Sequence, residues 1–457
     1  MGLLAINWSS VGVQVGQLLL ALSLLVILHE FGHYITARWF RCRVEKFFLF
    51  FDPWFALVKK KVGDTVYGIG WLPLGGYVKI SGMIDESMDK EQMKQPPKEW
   101  EFRSKPAWQR LIVMLAGIIM NVLVAFIIYA FVLMIWGERN VPNASAKNGI
   151  WVVDSLMTTQ GFQSGDKIIS VNGDSIKYFD DIQPKVLIGG KKVVIERNGE
   201  IKELDLNIDL IDKLITRKDK KRVLITERLP CIIGVYDDKD TAYGKQAKLQ
   251  PFDRIISVNG EPVQFLDQIN DIGAQNKNGA VTLSVLRNND TISLTNKVNS
   301  QGRLELQTLT DKQYDSLGVY KVITTKYPFF AAFPAGIRKA GEKLQFYIDQ
   351  FKLILNPKTG AYKGLGGFKA IGSVFPTFWS WEAFWNITAF LSIVLAFMNL
   401  LPIPALDGGH VMFTLYEMIT RRKPNEKFME YAQVAGMVLL ILLMLYANGN
   451  DWFGWGK

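Results

Sequence analysis

The sequence predicts a membrane protein with an α-helical core of four transmembrane helices, a membrane-associated β-hairpin and two inserted α+β domains. Hydrophobic residues make up 49% of the 457 residues and charged residues 21%, which indicates apolar spans joined to polar domains. Apolar runs without a charged residue predict the spans, at about 11–28, 111–136, 384–401 and 432–446. Between the second and third runs a short pattern occurs twice, which is typical of a duplicated small domain.

The first apolar run leads directly into His29-Glu30-Phe31-Gly32-His33. On a helix, His29 and His33 face the same side, which is the spacing with which two imidazoles bind one tetrahedral zinc ion. Glu30 lies beside the first of them, where a carboxylate can accept a proton from water at the metal. The chain has 3 histidines and two of them lie here; the alternative is a pair of solvated histidines at a helix end. Because no cation precedes the run and cleavage after it would sever this motif, we expect a retained first span.

The third apolar run ends in a second polar motif, residues 399–410 (NLLPIPALDGGH). Pro402 and Pro404 break the helix and free backbone carbonyls. An acid at membrane depth is expensive and by default functional, so Asp407 is the candidate for the third zinc ligand that the two histidines lack. Two alternatives stay open, namely Asp407 as the cap of a following helix and His410 as the ligand in its place.

Residues 47–86 are unusually apolar for a loop but contain no run long enough to span a membrane. Residues 65–72 have strand chemistry with breaks at Gly68 and Gly70, and residues 73–79 turn and resume a strand. Backbone at membrane depth needs hydrogen-bond partners from protein. We therefore expect a membrane-associated hairpin over 65–79 whose free edge pairs with an extended substrate. A hairpin on the cytosolic surface is the alternative.

The duplicated pattern lies at residues 165–174 (GDKIISVNGD) and again at residues 252–261 (FDRIISVNGE), and a further strand with its own turn follows each copy. Each copy predicts a strand that ends in a tight Asn-Gly turn. The pattern resembles the core of PDZ domains, here in tandem. Neither copy has the Gly-Leu-Gly-Phe loop that binds a peptide carboxylate, so peptide binding and a steric or scaffolding role both stay open.

The net charge of +10 does not indicate nucleic-acid binding, because basic clusters flank the apolar runs and form no single basic tract. Four basic residues follow the first run, so the positive-inside rule places that side in the cytoplasm. Four crossings then place both termini and the repeats on the outer side. Cys42 and Cys231 lie on opposite sides in this topology and cannot form a disulfide.

After the repeats, apolar residues between 337 and 355 recur at helical spacing with basic residues between them. This pattern is typical of a helix on the membrane surface, and a helix packed on the preceding domain explains it equally well. The predicted segments are the first transmembrane helix with its histidine motif (1–46), the hairpin region (47–86), a cytoplasmic loop (87–110), the second helix (111–138), the PDZ-like domains (139–225 and 226–325), the amphipathic surface segment (326–380), the third helix (381–412), a cytoplasmic loop (413–431) and the fourth helix with the C-terminus (432–457).

Together these motifs resemble the site-2 proteases of bacteria, and the match covers essentially the whole chain. The His-Glu-x-x-His motif ends the first span, Asn399-x-x-Pro-x-Pro-x-Leu-Asp-Gly ends the third, and PDZ-like domains lie between spans. Residues 73–79 and the stretch Lys105-Pro106-x-Trp108-x-Arg110 also match. The resemblance implies an intramembrane zinc metalloprotease, with Zn²⁺ on His29, His33 and Asp407 and with Glu30 as the general base.

The resemblance also implies substrates and a location. Asn399 would contact the substrate backbone, and the further candidate substrate contacts are Gly68, Gly70, Pro402 and Pro404. Substrates in the family are single-pass membrane proteins, such as an anti-sigma factor already trimmed outside the membrane or a remnant signal peptide, in envelope stress signalling. The implied location is the bacterial inner membrane, with membrane lipid as a partner. The PDZ-like domains and both termini would then be periplasmic, and the tandem domains would act as a size filter.

Two stretches depart from the family pattern. The Ala-Gly-Pro-x-x-Asn motif appears as residues 116–121 without the proline, and the Gly-Pro-Ile-Gly motif is only loosely matched by residues 367–372. Within the first stretch Gly117 and Asn121 are one turn apart, and helix packing or a role in the site explains them equally well.

Two functions of other classes are alternatives to the protease. The first rival is a non-proteolytic membrane PDZ scaffold or zinc-dependent adaptor, which would have no need of the Glu30 carboxylate. A metal transporter is disfavoured, because the other spans carry no chain of acidic or histidine residues.

Overall fold

The computed structural model describes residues 8–73, 75–83, 96–217, 223–234, 248–304 and 306–456. The chain divides into two compact units, the first comprising Met1–Gly137, Lys326–Lys352 and Lys363–Lys457 and the second Glu138–Thr325 and Leu353–Tyr362. Parts of the predicted segments lie outside the described residues, namely residues 1–7, Leu74 of the hairpin region, residues 84–95 with the start of the first cytoplasmic loop, residues 218–222, 235–247 and 305 of the PDZ-like segments, and Lys457.

The helices of the described chain are α1 (Trp8–Trp39), α2 (Ala107–Ile135), α3 (Ser155–Thr159), α4 (Ile182–Leu187), α5 (Leu210–Thr216), α6 (Leu266–Gln275), α7 (Asp311–Ser316), α8 (Phe329–Leu355), α9 (Phe368–Gly372), α10 (Trp381–Leu400), α11 (Asp407–Thr420) and α12 (Glu426–Phe453). The strands are β1 (Val44–Leu49), β2 (Phe51–Val62), β3 (Thr65–Leu72), β4 (Tyr77–Ile80), β5 (Glu138–Asn140), β6 (Ile150–Val152), β7 (Lys167–Val171), β8 (Asp174–Ser175), β9 (Lys192–Arg197), β10 (Glu200–Asp205), β11 (Ile225–Glu227), β12 (Arg254–Val258), β13 (Glu261–Pro262), β14 (Ala280–Arg287), β15 (Asp290–Lys297) and β16 (Ile323–Thr325).

Within the described residues, four helices are long and apolar enough to cross a membrane, namely α1, α2, α10 and α12. They include most residues of the four predicted runs, so the prediction of a multi-pass helical core is confirmed. The helix α2 is the most buried of the four and packs against α1, α10 and α11. Lipid provides no hydrophobic drive between helices, so small residues mark the contacts. A Cβ on Gly32 of α1 would lie 2.5 Å from the carbonyl oxygen of Ala116 on α2.

The helix α8 covers the predicted amphipathic segment and packs against two membrane helices of its own unit. A Cβ on Gly336 would lie 2.7 Å from the backbone nitrogen of Ala130 on α2. Further along the helix, the rings of Tyr347 and Phe351 contact Phe397 of α10, at centroid distances of 5.4 and 5.3 Å. Helix packing within the membrane unit therefore accounts for part of the apolar face of α8, while Ile337, Leu344 and Leu355 are exposed.

Residues 44–80 form a four-stranded sheet in the order β2-β3-β1-β4. The strand β1 pairs in parallel with β3 and antiparallel with β4. The predicted pairing within 65–79 is therefore wrong, because β1 lies between β3 and β4. Side-chain packing explains this order, since Phe48 of β1 and Val78 and Ile80 of β4 are buried and the rings of Phe48 and Tyr77 stack at 5.5 Å. The hairpin of this region is instead formed by β2 and β3.

The two sequence repeats fold into two sheets of the same strand order. The first sheet runs β8-β7-β9-β10 and the second β13-β12-β14-β15. The turn residues Asn172 and Asn259 have φ values of 53° and 52°, in the left-handed region that the Asn-Gly turns predict.

A buried ion pair is repeated as well. Asp166 accepts hydrogen bonds from Nε and Nη2 of Arg197, both at 2.7 Å, and one from the backbone N–H of Gln163 at 2.8 Å. Asp253 and Arg287 form the same pair in the second repeat, at 2.8 and 2.6 Å. Both carboxylates are buried. The aspartate of the repeated pattern therefore has a structural role: its ion pair joins the start of β7 to β9 in the first repeat and the start of β12 to β14 in the second.

Each repeat has its own hydrophobic core. The core of the first repeat also contains Leu309, Tyr314 and Tyr320, which follow the second repeat in the sequence. The chain therefore returns to the first core after it has completed the second one.

The cysteines are free and buried. Burial raises the pKa of the Cys231 thiol to about 12, so this thiol is protonated at neutral pH. It has little thiolate with which to react.

Arg197→Met should destabilise the second unit, because it leaves the Asp166 carboxylate buried without its charge partner. Removing one partner of a buried ion pair costs about 3–5 kcal/mol. Lys167→Met is the matched control: its pair with Glu196 is exposed, at 47% and 36% of the two side chains. Such a pair is worth only ~0–1 kcal/mol. Hydrogen exchange of the full-length protein in detergent, at increasing urea, measures the free energy of unfolding of the second unit in both variants. Equal stability of the two variants would contradict the structural role of the buried pair.

Candidate metal centre

Three predicted ligands meet at one point between α1 and the start of α11. The Nε2 atoms of His29 and His33 are 3.3 Å apart, and they lie 3.2 and 3.4 Å from Oδ2 of Asp407. Side chains of α1 four residues apart share a face, so the helix itself presents both imidazoles. Among the described residues, these three form the group of histidine, cysteine and acidic side chains that is close enough to hold a metal ion.

The arrangement fits zinc. Tetrahedral zinc with bonds of about 2.0–2.2 Å holds its ligand atoms about 3.3–3.6 Å apart, close to the observed separations. Oδ2 of Asp407 is buried and accepts no hydrogen bond within the described part of the chain. A carboxylate oxygen in that position is suited to a cation. Two imidazoles and one carboxylate are also a donor set found in catalytic zinc sites, where a fourth position stays open.

The helix α2 contacts both histidines and positions their rings. Nδ1 of His33 lies 2.8 Å from the carbonyl oxygen of Val113 and can only donate to it, which leaves the lone pair of Nε2 facing the centre. One turn further along α2, a Cβ on Gly117 would overlap Nε2 of His33 and lie 2.6 Å from Cε1 of His29. The next turn brings Asn121 to Nδ1 of His29, at 3.2 Å. Sequence reasoning left a site role for Gly117 and Asn121 open, and the structure places both of them against the histidines.

Asp407 is held by a tight turn between α10 and α11. Pro402 and Pro404 lie in this turn, where the backbone N–H of Leu406 donates to the carbonyl oxygen of Ile403 at 3.0 Å. Ala405 has a φ of 83°, a left-handed conformation that side chains rarely adopt. A Cβ on Gly436 of α12 would overlap the carbonyl oxygen of Pro404. The turn is therefore pressed against α12, and the two prolines shape the backbone that presents Asp407.

Glu30 and Asn399 also reach the centre. Glu30 lies among the charges of the three ligands and beside the backbone of Val78 on β4. A Cβ on Gly76, in the link before β4, would lie 3.6 Å from Cγ of Glu30. Nδ2 of Asn399, at the end of α10, is 3.3 Å from Nε2 of His29. The structure thus brings a carboxylate and an amide to the ligand set.

The remaining predicted site residues lie elsewhere. Gly68 and Gly70 are on the interior strand β3, where Gly68 pairs with both β1 and β2 and Gly70 pairs with β2. Packing explains both glycines, because a Cβ on Gly68 would overlap the ring of Phe48 and one on Gly70 would overlap the backbone of Phe51. His410 is not part of the ligand group; it lines a separate cavity of about 360 Å³ beside Arg110 and Glu417.

A three-ligand metal centre with a carboxylate beside it, carried by helices able to cross a membrane, defines a metal-dependent hydrolase of the membrane. The chain belongs to peptidase family M50, the site-2 protease family, whose family model matches residues 17–443. The predicted family membership is confirmed, and with it the prediction of a metalloprotease.

Relatives of similar length match nearly the whole chain. "Protease RseP" of Yersinia pestis is 28% identical, over 98% of this chain and 99% of the relative. "Regulator of sigma-E protease RseP" of Escherichia coli is 28% identical, over 95% and 97%. "Putative zinc metalloprotease" of Treponema pallidum is 27% identical, over 94% and 96%. Within the family, the motifs of this chain likewise resemble those of the regulator of sigma-E protease.

Gly117→Ala should weaken metal binding, because the added methyl group would occupy the space of the two imidazoles. Disturbing the groups that orient metal ligands typically reduces metal affinity by about 10–100-fold. Gly16→Ala is the matched control, since Gly16 lies on membrane helix α1 with nothing within 4 Å of a Cβ. Zinc per chain, measured on purified protein after dialysis against a weak chelator, should fall in the first variant and not in the second. Retained zinc in Gly117→Ala would contradict the close approach of α2.

Proposed function

We propose that this chain is an intramembrane zinc protease that cleaves the transmembrane segments of trimmed single-pass membrane proteins. It is a metalloprotease by family, and zinc is its metal. The observation that carries the proposal is the meeting of His29, His33 and Asp407, with Glu30 beside them, on helices long and apolar enough to cross a membrane.

The roles of the residues follow from their positions. When bound, zinc supplies a Lewis acid that makes water nucleophilic near neutral pH and polarises a carbonyl. Glu30 accepts the proton of the attacking water and delivers it to the leaving amine. The Nδ2 group of Asn399, which lies at the ligand set, donates a hydrogen bond to the substrate carbonyl. His29, His33 and Asp407 hold the metal, and Val113 keeps His33 in the tautomer that can bind it.

The substrate has to be extended at the scissile bond, because helical amides are shielded by their own hydrogen bonds. The strand β4 is an edge of its sheet and lies beside Glu30. An unwound substrate segment pairing with β4 would therefore lie next to the general base. In this proposal the substrate pairs with β4 and not with Gly68 and Gly70 of β3. Pro402 and Pro404 affect the substrate only indirectly, because they shape the turn that holds Asp407.

The second unit acts as a size filter in this proposal. Its two repeats have the same strand order, as two tandem PDZ-like domains would. The basic residues after α1 and α11 favour a cytoplasmic location for those ends. In the proposed topology the protein lies in a bacterial inner membrane, with both termini and the second unit in the periplasm. A single-pass substrate such as an anti-sigma factor in envelope stress signalling, or a remnant signal peptide, would enter only after its outer domain has been removed.

Glu30→Gln and Asp407→Ala should separate chemistry from metal binding. Glu30→Gln keeps the three ligands but removes the base, so zinc should stay near one per chain while cleavage falls by about 10²-fold or more. Asp407→Ala removes a ligand, so zinc and cleavage should both fall. The assay pairs metal analysis with cleavage of a tagged single-span reporter. Full turnover by Glu30→Gln would refute the base assignment, and zinc without cleavage of any trimmed reporter would favour the adaptor.

A pair of reporters with one transmembrane segment tests the size filter. The first carries a short outer peptide and the second a folded outer domain of about 100 residues, a typical domain size. The protein should cleave the first at least about 10-fold faster, because a bulky outer domain is excluded before the segment can enter. Both reporters are compared in the same detergent and with Glu30→Gln as the blank. Equal rates for the two reporters would argue against the filter and leave the protease assignment intact.

A further inference from the structure

The face of α2 that contacts the histidines has a regular spacing. Val113, Gly117 and Asn121 are each four residues apart, and they face His29 and His33, which are themselves four residues apart on α1. Each position makes a different contribution. Val113 offers a backbone carbonyl, Gly117 offers space, and Asn121 offers a side-chain amide.

We propose that Asn121 is a positioning residue that holds His29 in the tautomer and orientation required for binding the metal through Nε2. The proposal rests on the proposed metal centre and assigns a role to a residue outside the ligand set. Metal-binding histidines usually have the second ring nitrogen hydrogen-bonded, and loss of that partner weakens metal binding. For His33 the partner is a backbone carbonyl, which no substitution removes. For His29 it is the Asn121 side chain.

Hydrogen-bond chemistry determines how the amide must face the ring. When Nε2 of His29 binds a metal, its proton sits on Nδ1, which then has to donate. In the structure the Asn121 side chain reaches this nitrogen with its amide nitrogen Nδ2, at 3.2 Å. The Nδ1–H group of His29 needs the amide oxygen Oδ1 as its acceptor, in the place that Nδ2 occupies. Rotating the side-chain amide by half a turn exchanges the two atoms. Oδ1 of Asn121 is a buried atom without a hydrogen-bond partner in the described chain. In the rotated orientation it accepts from Nδ1 of His29, and Nδ2 takes the buried position that Oδ1 leaves.

The surroundings keep Asn121 in place. The residue is fully buried, and its backbone carbonyl accepts a hydrogen bond from Oγ of Ser392 on α10 at 2.7 Å. The same helix α10 carries Asn399, whose amide lies at the other nitrogen of His29, at 3.3 Å. The ring of His29 thus lies between side-chain amides of α2 and α10, and the amide of Asn121 is the one at Nδ1, the nitrogen that stays available when a metal occupies Nε2. An amide at that nitrogen suits a ring that must keep one orientation.

Simple helix packing makes a different prediction. A buried asparagine in a membrane helix can serve only to bond neighbouring helices, and a leucine of similar size would then be tolerated in so apolar a place. If Asn121 orients His29, leucine removes the acceptor and leaves the Nδ1 proton without a partner. Aspartate, in contrast, keeps an acceptor oxygen at the same distance.

The experiment compares the rate of zinc loss to a strong chelator in the full-length protein and in Asn121→Leu and Asn121→Asp. Leucine should speed the loss by about 10–100-fold, while aspartate should stay within a few-fold of the wild type. Thr388→Val is the control for loss of a buried hydroxyl, since Thr388 bonds only within its own helix in the described contacts; it should lose zinc at the wild-type rate. If Asn121→Leu does not fold, Asn121→Ala takes its place.

The outcomes separate this proposal from the proposed function. Zinc loss from Asn121→Leu at the wild-type rate overturns the role of Asn121 and leaves the ligand set intact. Equal loss from the leucine and aspartate variants also overturns it, because the acceptor oxygen would then not matter. A wild-type protein that holds no zinc overturns the metal centre and this role together.

Discussion

The close approach of α1 and α2 is the constraint on which the metal centre depends. Gly32 lets the two backbones come together at Ala116, and Gly117, the next residue of α2, leaves room for both imidazoles. Lipid does not drive helices together, so the contact has to come from small residues that fit. Once a metal is bound, it ties His29 and His33 to Asp407 at the start of α11. Helix packing and metal binding therefore stabilise each other.

The third ligand depends on a separate contact. Asp407 stands after a turn with a left-handed alanine, and Gly436 of α12 lies directly against the backbone of that turn. The ligand geometry thus involves α12, which contributes no ligand of its own. Such indirect support explains why residues outside the motifs are needed for a site that only three side chains form.

Sequence reasoning reached the parts of the site that are local or chemically unusual. His29 and His33 are visible through helical spacing, and Asp407 is visible because an acid at membrane depth is costly. Asn121 and Gly117 were left open, because the same one-turn spacing serves helix packing. The strand order was missed because parallel pairing of β1 with β3 is long-range, whereas residues 65–79 have the local pattern of a hairpin. The sequence also did not show that Gly68 and Gly70 lie on an interior strand, because an interior strand and an edge strand have similar sequences.

Because the chain returns to the first core after the second repeat, the second repeat is an insertion within the first. The chain enters this repeat near Gly234 and leaves it near Gln307, and the backbone N–H of Gly234 donates to the carbonyl oxygen of Gln307 at 2.7 Å. Ile233 and Thr308 form a bridge beside it. Because entry and exit are adjacent, a module of any length could occupy this position without moving Tyr314 or Tyr320 out of the first core. Evolution could thus enlarge, shrink or exchange the second repeat while the unit that contains the three metal ligands stayed unchanged.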